Sequence, residues 1–236
     1  MFNLMLVDCL DLMDNITKGS VDMILCDLPY GTTACKWDVV IHFEPLWAHY
    51  KRVIKPNGAI VLFGSQPFTS ALIMSNLENF KYCWIWEKSL FSNFALVKKQ
   101  PAKKHEDVMI FYNKQPTYNP QMEIGKPYID KARARTMSVI GNAVPIKKAI
   151  DNKGIRYPGS VQKFSNGNNG SQHPTQKPVM LLEYLIKTYT NEDETVLDNC
   201  MGSGSTGVAA KNLNRRFIGI EKDAAYFKIA SERIGV

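Results

Sequence analysis

The tetrapeptide Asp-Leu-Pro-Tyr at positions 27–30 follows an apolar run and combines groups that could act on a planar amine. The proline has no N–H and a fixed φ, so a neighbouring backbone carbonyl can point into a site beside the aspartate carboxylate. These two acceptors could hold both hydrogens of an exocyclic amine and turn its lone pair towards a methyl donor, with a base stacked on the tyrosine. Taken alone, the tetrapeptide fits an ordinary strand exit equally well.

A second candidate site is a turn near the end of the sequence that reads Gly-x-Gly-x-x-Gly at positions 202–207. A strand pattern precedes it, a helical pattern follows it, and Glu221 closes the next strand pattern 19 positions after Gly202. Such units bind adenosine-containing cofactors, because glycines let the backbone approach the ligand and the acid accepts hydrogen bonds from ribose hydroxyls. The alternative is a structural turn with a surface glutamate.

Asp198, directly before this turn, distinguishes between two such cofactors. A carboxylate there suits the cationic α-amino group of a methionine moiety, whereas it would repel the pyrophosphate of NAD. Only fifteen residues follow Glu221, so we expect the rest of the sheet to come from the preceding chain rather than from a second nucleotide-binding half. The sequence therefore predicts S-adenosylmethionine rather than NAD.

The elements that must position both sites alternate between strand and helix. Near-continuous apolar runs, such as the one before residue 27 and the one at 59–65, are separated by helical patterns such as residues 42–54. Runs of this kind are typical of parallel sheets buried on both faces. We predict a Rossmann-like α/β fold, with a mostly parallel central sheet flanked by helices, a turn at 56–58, and a helix that begins at Pro178.

The alternation fails from about residue 117 to residue 171, where Gly, Pro, Asn, Lys and Arg are frequent. From Lys114 to Lys177 there are eleven Lys and Arg residues against three Asp and Glu. A loop-rich segment this long inside a domain is usually functional or disordered. With the net charge of +7, it is compatible with a polyanionic partner, although a solvated basic surface stays open as the alternative.

Together, the two motifs resemble those of the DNA amino-methyltransferases, which share the class I S-adenosylmethionine-dependent fold. The catalytic motif of that family reads Asp/Asn/Ser-Pro-Pro-Tyr/Phe, so Leu28 replaces a proline here, and Cys200 replaces an aromatic residue of the cofactor motif. The order of the motifs is similar to that of the β group of this family: the catalytic motif comes first, the recognition segment next and the cofactor motif last. The resemblance covers most of the chain, including His-Pro-Thr-Gln-Lys-Pro at 173–178. An aspartate at position 27 favours adenine N6, where a serine would favour cytosine N4.

The resemblance implies a single catalytic domain over residues 1–236, with residues 115–172 as an inserted target-recognition segment. It implies methyl transfer from S-adenosylmethionine to the N6 amine of adenine in a specific DNA sequence, after base flipping. The catalytic residues would be Asp27, Leu28, Pro29 and Tyr30. The cofactor-binding residues would be Asp8, Cys9, Asp27, Thr175, Gln176, Lys177, Asp198, Cys200, Gly202, Ser203, Gly204, Ser205, Thr206, Glu221 and Lys222. The DNA-binding residues would be Lys98, Lys99, Lys103, Lys104, Lys131, Arg133, Arg135 and Arg156.

Other chemistry-bearing residues receive a structural interpretation. We interpret His105 and Glu106 as structural, because methyl transfer to an acceptor-held amine needs no histidine, and Cys26 as buried packing on a strand. Trp37 and Asp38 fit a loop over the base or packing equally well. Five scattered cysteines without Cys-x-x-Cys, and four histidines without ligand spacing, predict neither disulfides nor a metal site.

The remaining features limit location and partners. The sequence has no run of about 18 apolar residues, and its first residues carry acids where a signal peptide would be basic, which predicts a cytoplasmic protein. A homodimer is compatible with a small chain that has a modest recognition segment. Three functions stay open: an adenine-N6 DNA methyltransferase, a methyltransferase of the same fold acting on cytosine N4, RNA or protein, and a non-enzymatic DNA-binding module.

Overall fold

The computed structural model describes residues 1–33, 35, 38–131, 149–166 and 176–236. The chain divides into two compact units, one formed by Met1–Asn119 with Ser160–Val236 and the other by Pro120–Gly159. The predicted insertion, residues 115–172, extends beyond both ends of the second unit in sequence. Its role in target recognition stays a prediction.

The first unit contains eight strands and six helices among its described residues. The strands are β1 (Phe2–Leu6), β2 (Val21–Cys26), β3 (Ile54–Gly64), β4 (Phe80–Lys88), β5 (His105–Phe111), β10 (Val161–Phe164), β11 (Thr195–Asp198) and β12 (Arg216–Glu221). The helices are α1 (Cys9–Leu12), α2 (Phe43–Val53), α3 (Phe68–Met74), α4 (Val179–Tyr189), α5 (Ser205–Asn212) and α6 (Ala224–Ile234). In the second unit, β6 (Glu123–Ile124) pairs with β9 (Ile155–Arg156), and β7 (Tyr128–Asp130) pairs with β8 (Ile150–Asn152), both antiparallel.

The eight strands of the first unit form one sheet in the order β1-β12-β11-β2-β3-β5-β4-β10. Neighbours are parallel from β1 to β3 and again between β4 and β10, whereas β5 runs antiparallel to both β3 and β4. The predicted Rossmann-like fold with a mostly parallel sheet is confirmed. The strands that carry the two candidate motifs, β2 and β11, are direct neighbours.

Helices cover both faces of the sheet and explain the unbroken apolar runs. Met23 and Leu25 of β2 pack in a core with residues of α4, α5 and α6, while Ile24 and Cys26 pack in a second core with residues of α1, α2 and α3. Successive side chains of a strand point to opposite faces, so a strand covered on both sides must be apolar throughout. In the described part of the chain, no helix is long and apolar enough to cross a membrane.

The structure corrects one sequence-based element and adds another. The turn predicted at 56–58 is wrong, because β3 runs through these residues and accommodates them as an irregularity: Val21 lies opposite Ile54 but Met23 lies opposite Ala59. Strand β10, which the sequence pattern did not reveal, joins the edge of the main sheet beside β4. Its sequence Val-Gln-Lys-Phe alternates between exposed and half-buried positions, so it lacks the apolar run of the inner strands.

Candidate active site

A large cleft lies where four parallel strands end. The neighbouring strands β1, β12, β11 and β2 each end at or just before an acid that lines this cleft, respectively Asp8, Glu221, Asp198 and Asp27. The cleft opens to solvent and encloses about 1250 Å³ of space free of protein atoms. Residues of the glycine-rich turn and of the Asp-Leu-Pro-Tyr tetrapeptide both line the cleft, so a cofactor and a substrate group could share it.

The structure brings most of the predicted catalytic and cofactor-binding residues together around this cleft. Gly204 is not among its described lining residues, and Thr175 lies outside the described residues. The predicted residues that line it are Asp8, Cys9, Asp27, Leu28, Pro29, Tyr30, Gln176, Lys177, Asp198, Cys200, Gly202, Ser203, Ser205, Thr206, Glu221 and Lys222.

The glycine-rich turn is fixed by Glu221 and by helix α6. The Glu221 carboxylate accepts a hydrogen bond from the Gly202 N–H at 2.8 Å and another from the Asp223 N–H at 2.9 Å. Each oxygen of a carboxylate has two lone pairs, so Glu221 keeps acceptor capacity for a ligand in the cleft. Gly204 has a different reason to be glycine: its φ is +79°, and a Cβ there would lie 2.8 Å from the Ala230 Cβ of α6.

Asp198 is a buried residue whose carboxylate lines the cleft. Its Oδ1 accepts a hydrogen bond from the Cys200 N–H at 3.1 Å. Burial raises the pKa of Asp198 to about 6, although hydrogen bonds from the Thr206 hydroxyl and the Cys200 N–H oppose the shift. A cationic ligand group beside this carboxylate would stabilise its ionised form.

Three cysteine thiols meet next to this carboxylate. Cys9, Cys26 and Cys200 interact through their side chains, and Cys9 and Cys26 are buried. Burial raises the pKa of Cys26 to about 12, so its thiol stays protonated at neutral pH. The interpretation of Cys26 as buried packing is confirmed.

The Asp27 carboxylate is held by two donors. The Tyr30 hydroxyl donates to Oδ1 at 2.7 Å, and the Lys177 ammonium donates to Oδ2. Burial raises the pKa of Asp27, an effect that the neighbouring Lys177 ammonium opposes. The ring of Tyr30 stacks on Phe68 with centroids 5.0 Å apart, and the Leu28 side chain is buried in the second core. The tetrapeptide therefore presents its carboxylate and its aromatic ring to the cleft while its leucine anchors the turn.

Comparison with known proteins identifies the family of the chain. The family model named N6_N4_Mtase, described as DNA methylase, matches residues 21–232. The chain belongs to this family of DNA methylases.

Individual relatives agree with this membership. The type II methyltransferase M2.LlaDCHI of Lactococcus lactis subsp. cremoris is 31% identical over 96% of this chain and 87% of its own length. The crystal structure of an M1.HpyAVI–SAM complex is 27% identical, covers both chains completely and superposes with a TM-score of 0.66. The PvuII DNA methyltransferase, described as cytosine-N4-specific, superposes with a TM-score of 0.73 over 98% of this chain and 86% of its own, and at 16% identity it supports the fold alone.

In the methylase, Asp38 holds the loop after Tyr30 by hydrogen bonds that the sequence did not reveal. Both oxygens of the buried Asp38 carboxylate accept hydrogen bonds from backbone N–H groups: Gly31 at 2.8 Å, Thr32 at 2.9 Å and Thr33 at 2.7 Å. Burial acts to raise the pKa of Asp38, but these hydrogen bonds and that of the Thr33 hydroxyl outweigh it and lower the pKa. Asp38 is thus a structural part of the loop that follows Tyr30. Trp37, considered with it, lies outside the described residues.

Glu106, which the sequence led us to interpret as structural, has contacts at the cleft. It lines the cleft of the methylase, with Oε2 3.3 Å from the Lys177 Nζ, while Oε1 accepts a hydrogen bond from the Lys88 ammonium. Burial acts to raise its pKa, but the two lysines outweigh this and lower it. The sequence signal for these contacts is weak, because the partners come from three separate segments.

Most of the predicted DNA-binding residues that the structure describes are exposed. In the first unit Lys98, Lys99 and Lys104 are exposed, whereas Lys103 is half-buried and donates to the Ser65 hydroxyl. In the second unit Lys131 and Arg156 are exposed. The Arg156 guanidinium donates to the Lys126 carbonyl at 3.0 Å and lies 5.6 Å from the centre of the Tyr128 ring. Arg133 and Arg135 lie outside the described residues.

Proposed function

We propose that this DNA methylase transfers a methyl group from S-adenosylmethionine to the N6 amine of adenine in DNA. The observation that carries the proposal is the Asp27 carboxylate, which lines the same cleft as Asp198 and Glu221. An aspartate at this position, rather than a serine, favours adenine over cytosine as the target base. Cytosine N4 stays the main alternative, because both amines need the same pair of acceptors.

The residues around the glycine-rich turn fit S-adenosylmethionine. Asp198 would pair with the α-amino group, and this pairing would offset the cost of burying its charge, which shows in its pKa of about 6. Glu221 and Asp8 would accept hydrogen bonds from the adenosine part, as the order of strands β1, β12 and β11 suggests. The relative crystallised as an M1.HpyAVI–SAM complex supports this assignment.

Asp27 and the backbone of Leu28 and Pro29 would orient the substrate amine. When bound, S-adenosylmethionine supplies an electrophilic methyl group. Tyr30 and Lys177 use one lone pair on each Asp27 oxygen, so further lone pairs of the carboxylate stay available to accept an amine hydrogen. Because the lone pair of an exocyclic amine is delocalised into the ring, positioning by acceptors is the main contribution that the protein can make.

The basic residues would hold the DNA. Lys98, Lys99 and Lys104 are exposed and would pair with phosphates, which makes binding dependent on salt but not on sequence. We assign sequence recognition to the inserted segment, with Lys131 and Arg156 as described candidates. The homodimer and the cytoplasmic location remain predictions from the sequence.

The test is methyl transfer from labelled S-adenosylmethionine to unmethylated genomic DNA, followed by analysis of the product nucleosides. We expect N6-methyladenine, lost in Asp27→Ala and retained in Asp14→Ala, whose carboxylate is 73% exposed and does not line the cleft. If the product is N4-methylcytosine instead, the target base is cytosine and not adenine. No transfer to DNA by a chain that binds S-adenosylmethionine would refute the proposed substrate.

A further inference from the structure

The Lys177 ammonium lies between two carboxylates, those of Asp27 and Glu106, and does not pair with Asp27 alone. Its ammonium donates to Asp27 Oδ2 and lies 3.3 Å from Glu106 Oε2. Lys88 holds the other Glu106 oxygen. The side chains of Lys88, Glu106 and Lys177 are only 8%, 12% and 7% exposed, so solvent screens these charges weakly.

The scaffold fixes each member of this chain of charges separately. Lys88 is the last residue of β4 and Glu106 the second of the antiparallel strand β5, and the Lys88 N–H donates to the Lys104 carbonyl at 2.7 Å. Lys177 precedes Pro178, the N-terminal cap of α4. The Lys177 ammonium also lies 5.1 Å from the centre of the Phe63 ring. The positions of these charges are thus set by the sheet and a helix, not by flexible surface side chains.

Glu106 Oε2 is buried and has no hydrogen-bond partner in the described part of the chain. Its approach to Lys177 is therefore the interaction that compensates the charge on this oxygen. A lysine that paired with Asp27 alone would make a strong charge-assisted hydrogen bond and weaken that carboxylate as an acceptor for another donor. The Glu106 carboxylate, on the other side of the Lys177 ammonium, competes with Asp27 for this ammonium.

We propose that Glu106 is a positioning residue for Asp27. Glu106 interacts with the Lys177 ammonium, weakens the hydrogen bond from this ammonium to Asp27, and so keeps the Asp27 carboxylate available to the substrate amine. This inference rests on the proposed role of Asp27 as the amine acceptor. Glu106 touches neither reacting atom in the proposal and acts through Lys177.

The groups around Asp27 decide how its ionisation responds to a substitution. They are Cys26 and Tyr30 from β2 and its following loop, Lys177 before α4, Glu106 on β5, Lys88 behind it on β4, and Asp198 on β11. Of these, Lys177 and Tyr30 stabilise the carboxylate, while Glu106 acts to raise the pKa of Asp27. Removing Glu106 and removing Lys177 should thus have opposite effects.

Glu106→Gln and Lys177→Gln test this opposition in the full chain through the pH dependence of kcat/KM for DNA. In Glu106→Gln we expect the acid limb to move down by about one pH unit, with kcat about tenfold lower, because Lys177 then pairs with Asp27 alone. In Lys177→Gln we expect the acid limb to move up, because the Asp27 and Glu106 carboxylates, only 27% and 12% exposed, then face each other without the ammonium. Glu106→Asp should keep the limb of the unaltered chain.

Glu87→Gln is the matched control. Glu87 also pairs with a lysine at the same end of the sheet, Lys163 at 3.6 Å, but its side chain is 42% exposed. We expect its pH profile and kcat to equal those of the unaltered chain. A loss of kcat in Glu106→Gln without a downward shift of the limb would reduce Glu106 to a structural residue and overturn the proposal.

A titration that needs no substrate separates this proposal from the proposed function. The ¹³C carboxyl resonance of Asp27, assigned by its absence in Asp27→Asn, would be followed against pH in the unaltered chain and in both variants. We expect a lower Asp27 pKa in Glu106→Gln and a higher one in Lys177→Gln. An unchanged pKa in both variants refutes the coupling, whereas absence of DNA methylation by the unaltered chain refutes the proposed function. Should Glu106→Gln not fold, Lys177→Gln alone decides, because an Asp27 pKa that does not rise there contradicts the arrangement.

Discussion

Gly204→Ala tests whether the second glycine of the turn serves the packing of α6 instead of ligand contact. Alanine at this position would have to adopt a φ of +79°, and its Cβ would lie 2.8 Å from Ala230 Cβ and 3.0 Å from Ala230 Cα. The left-handed conformation costs about 1–2 kcal/mol for a residue with a Cβ. Because the clash involves a helix backbone and not the end of a flexible side chain, relief adds about 1–3 kcal/mol.

Gly19→Ala provides the matched control for the backbone contribution. Gly19 has a similar φ of +64°, but a Cβ there meets nothing within 4 Å. We therefore expect its free energy of unfolding to fall by about 1–2 kcal/mol, against about 2–5 kcal/mol for Gly204→Ala. Urea unfolding followed by circular dichroism measures both changes. Equal losses in the two variants would show that α6 moves away from the turn at no cost, and would refute the packing argument.

Three further predictions follow from the cleft and its surroundings. Because Asp198 has a raised pKa of about 6 and is ionised only above it, S-adenosylmethionine affinity should fall as the pH is lowered from about 8 to about 5. Calorimetric titration measures this fall, which should disappear in Asp198→Asn. Asp38→Ala leaves three backbone N–H groups without their acceptor. We therefore expect kcat to fall on the order of tenfold or more, because the loop that follows Tyr30 loses its support. Asp38→Glu, which can restore these hydrogen bonds, should recover part of the lost kcat. Lys99→Gln should lower the slope of log Kd against log salt concentration by about 1 if the lysine pairs with one phosphate, and an unchanged slope in a binding assay would remove it from the DNA surface.

Local patterns predicted the parts of the fold that depend on neighbours in sequence. The apolar run of β2 predicted a doubly covered strand, and the glycine turn followed by Glu221 predicted a strand-turn-helix-strand unit, which the structure contains. The irregularity at Pro56–Gly58 was predicted as a turn, because Pro, Asn and Gly are the residues of both turns and strand irregularities. Sequence alone does not distinguish a chain that reverses from one that bulges and continues.

The parts of the site that escaped prediction depend on contacts between distant segments. Glu106 meets Lys177 and Lys88 only because β4, β5 and the start of α4 converge at one end of the sheet. A single acid next to a histidine gave no sign of this. Asp38 was visible as a candidate, but its role depends on how the backbone of residues 31–33 turns towards it. The closeness of Gly204 to Ala230 also escaped prediction, because α6 lies outside the motif.

The pairing of β1 with β12 has a consequence for how the protein is made. Phe2 lies opposite Phe217, so two adjacent strands of the cleft are about 215 positions apart in sequence. During synthesis on the ribosome, β1 is translated long before β12 and stays without this neighbour in the sheet until β12 has emerged. Contacts of such long sequence separation form slowly and leave strand edges open to aggregation in the meantime. A nascent chain of this methylase should therefore complete the cleft only after β12 has been translated.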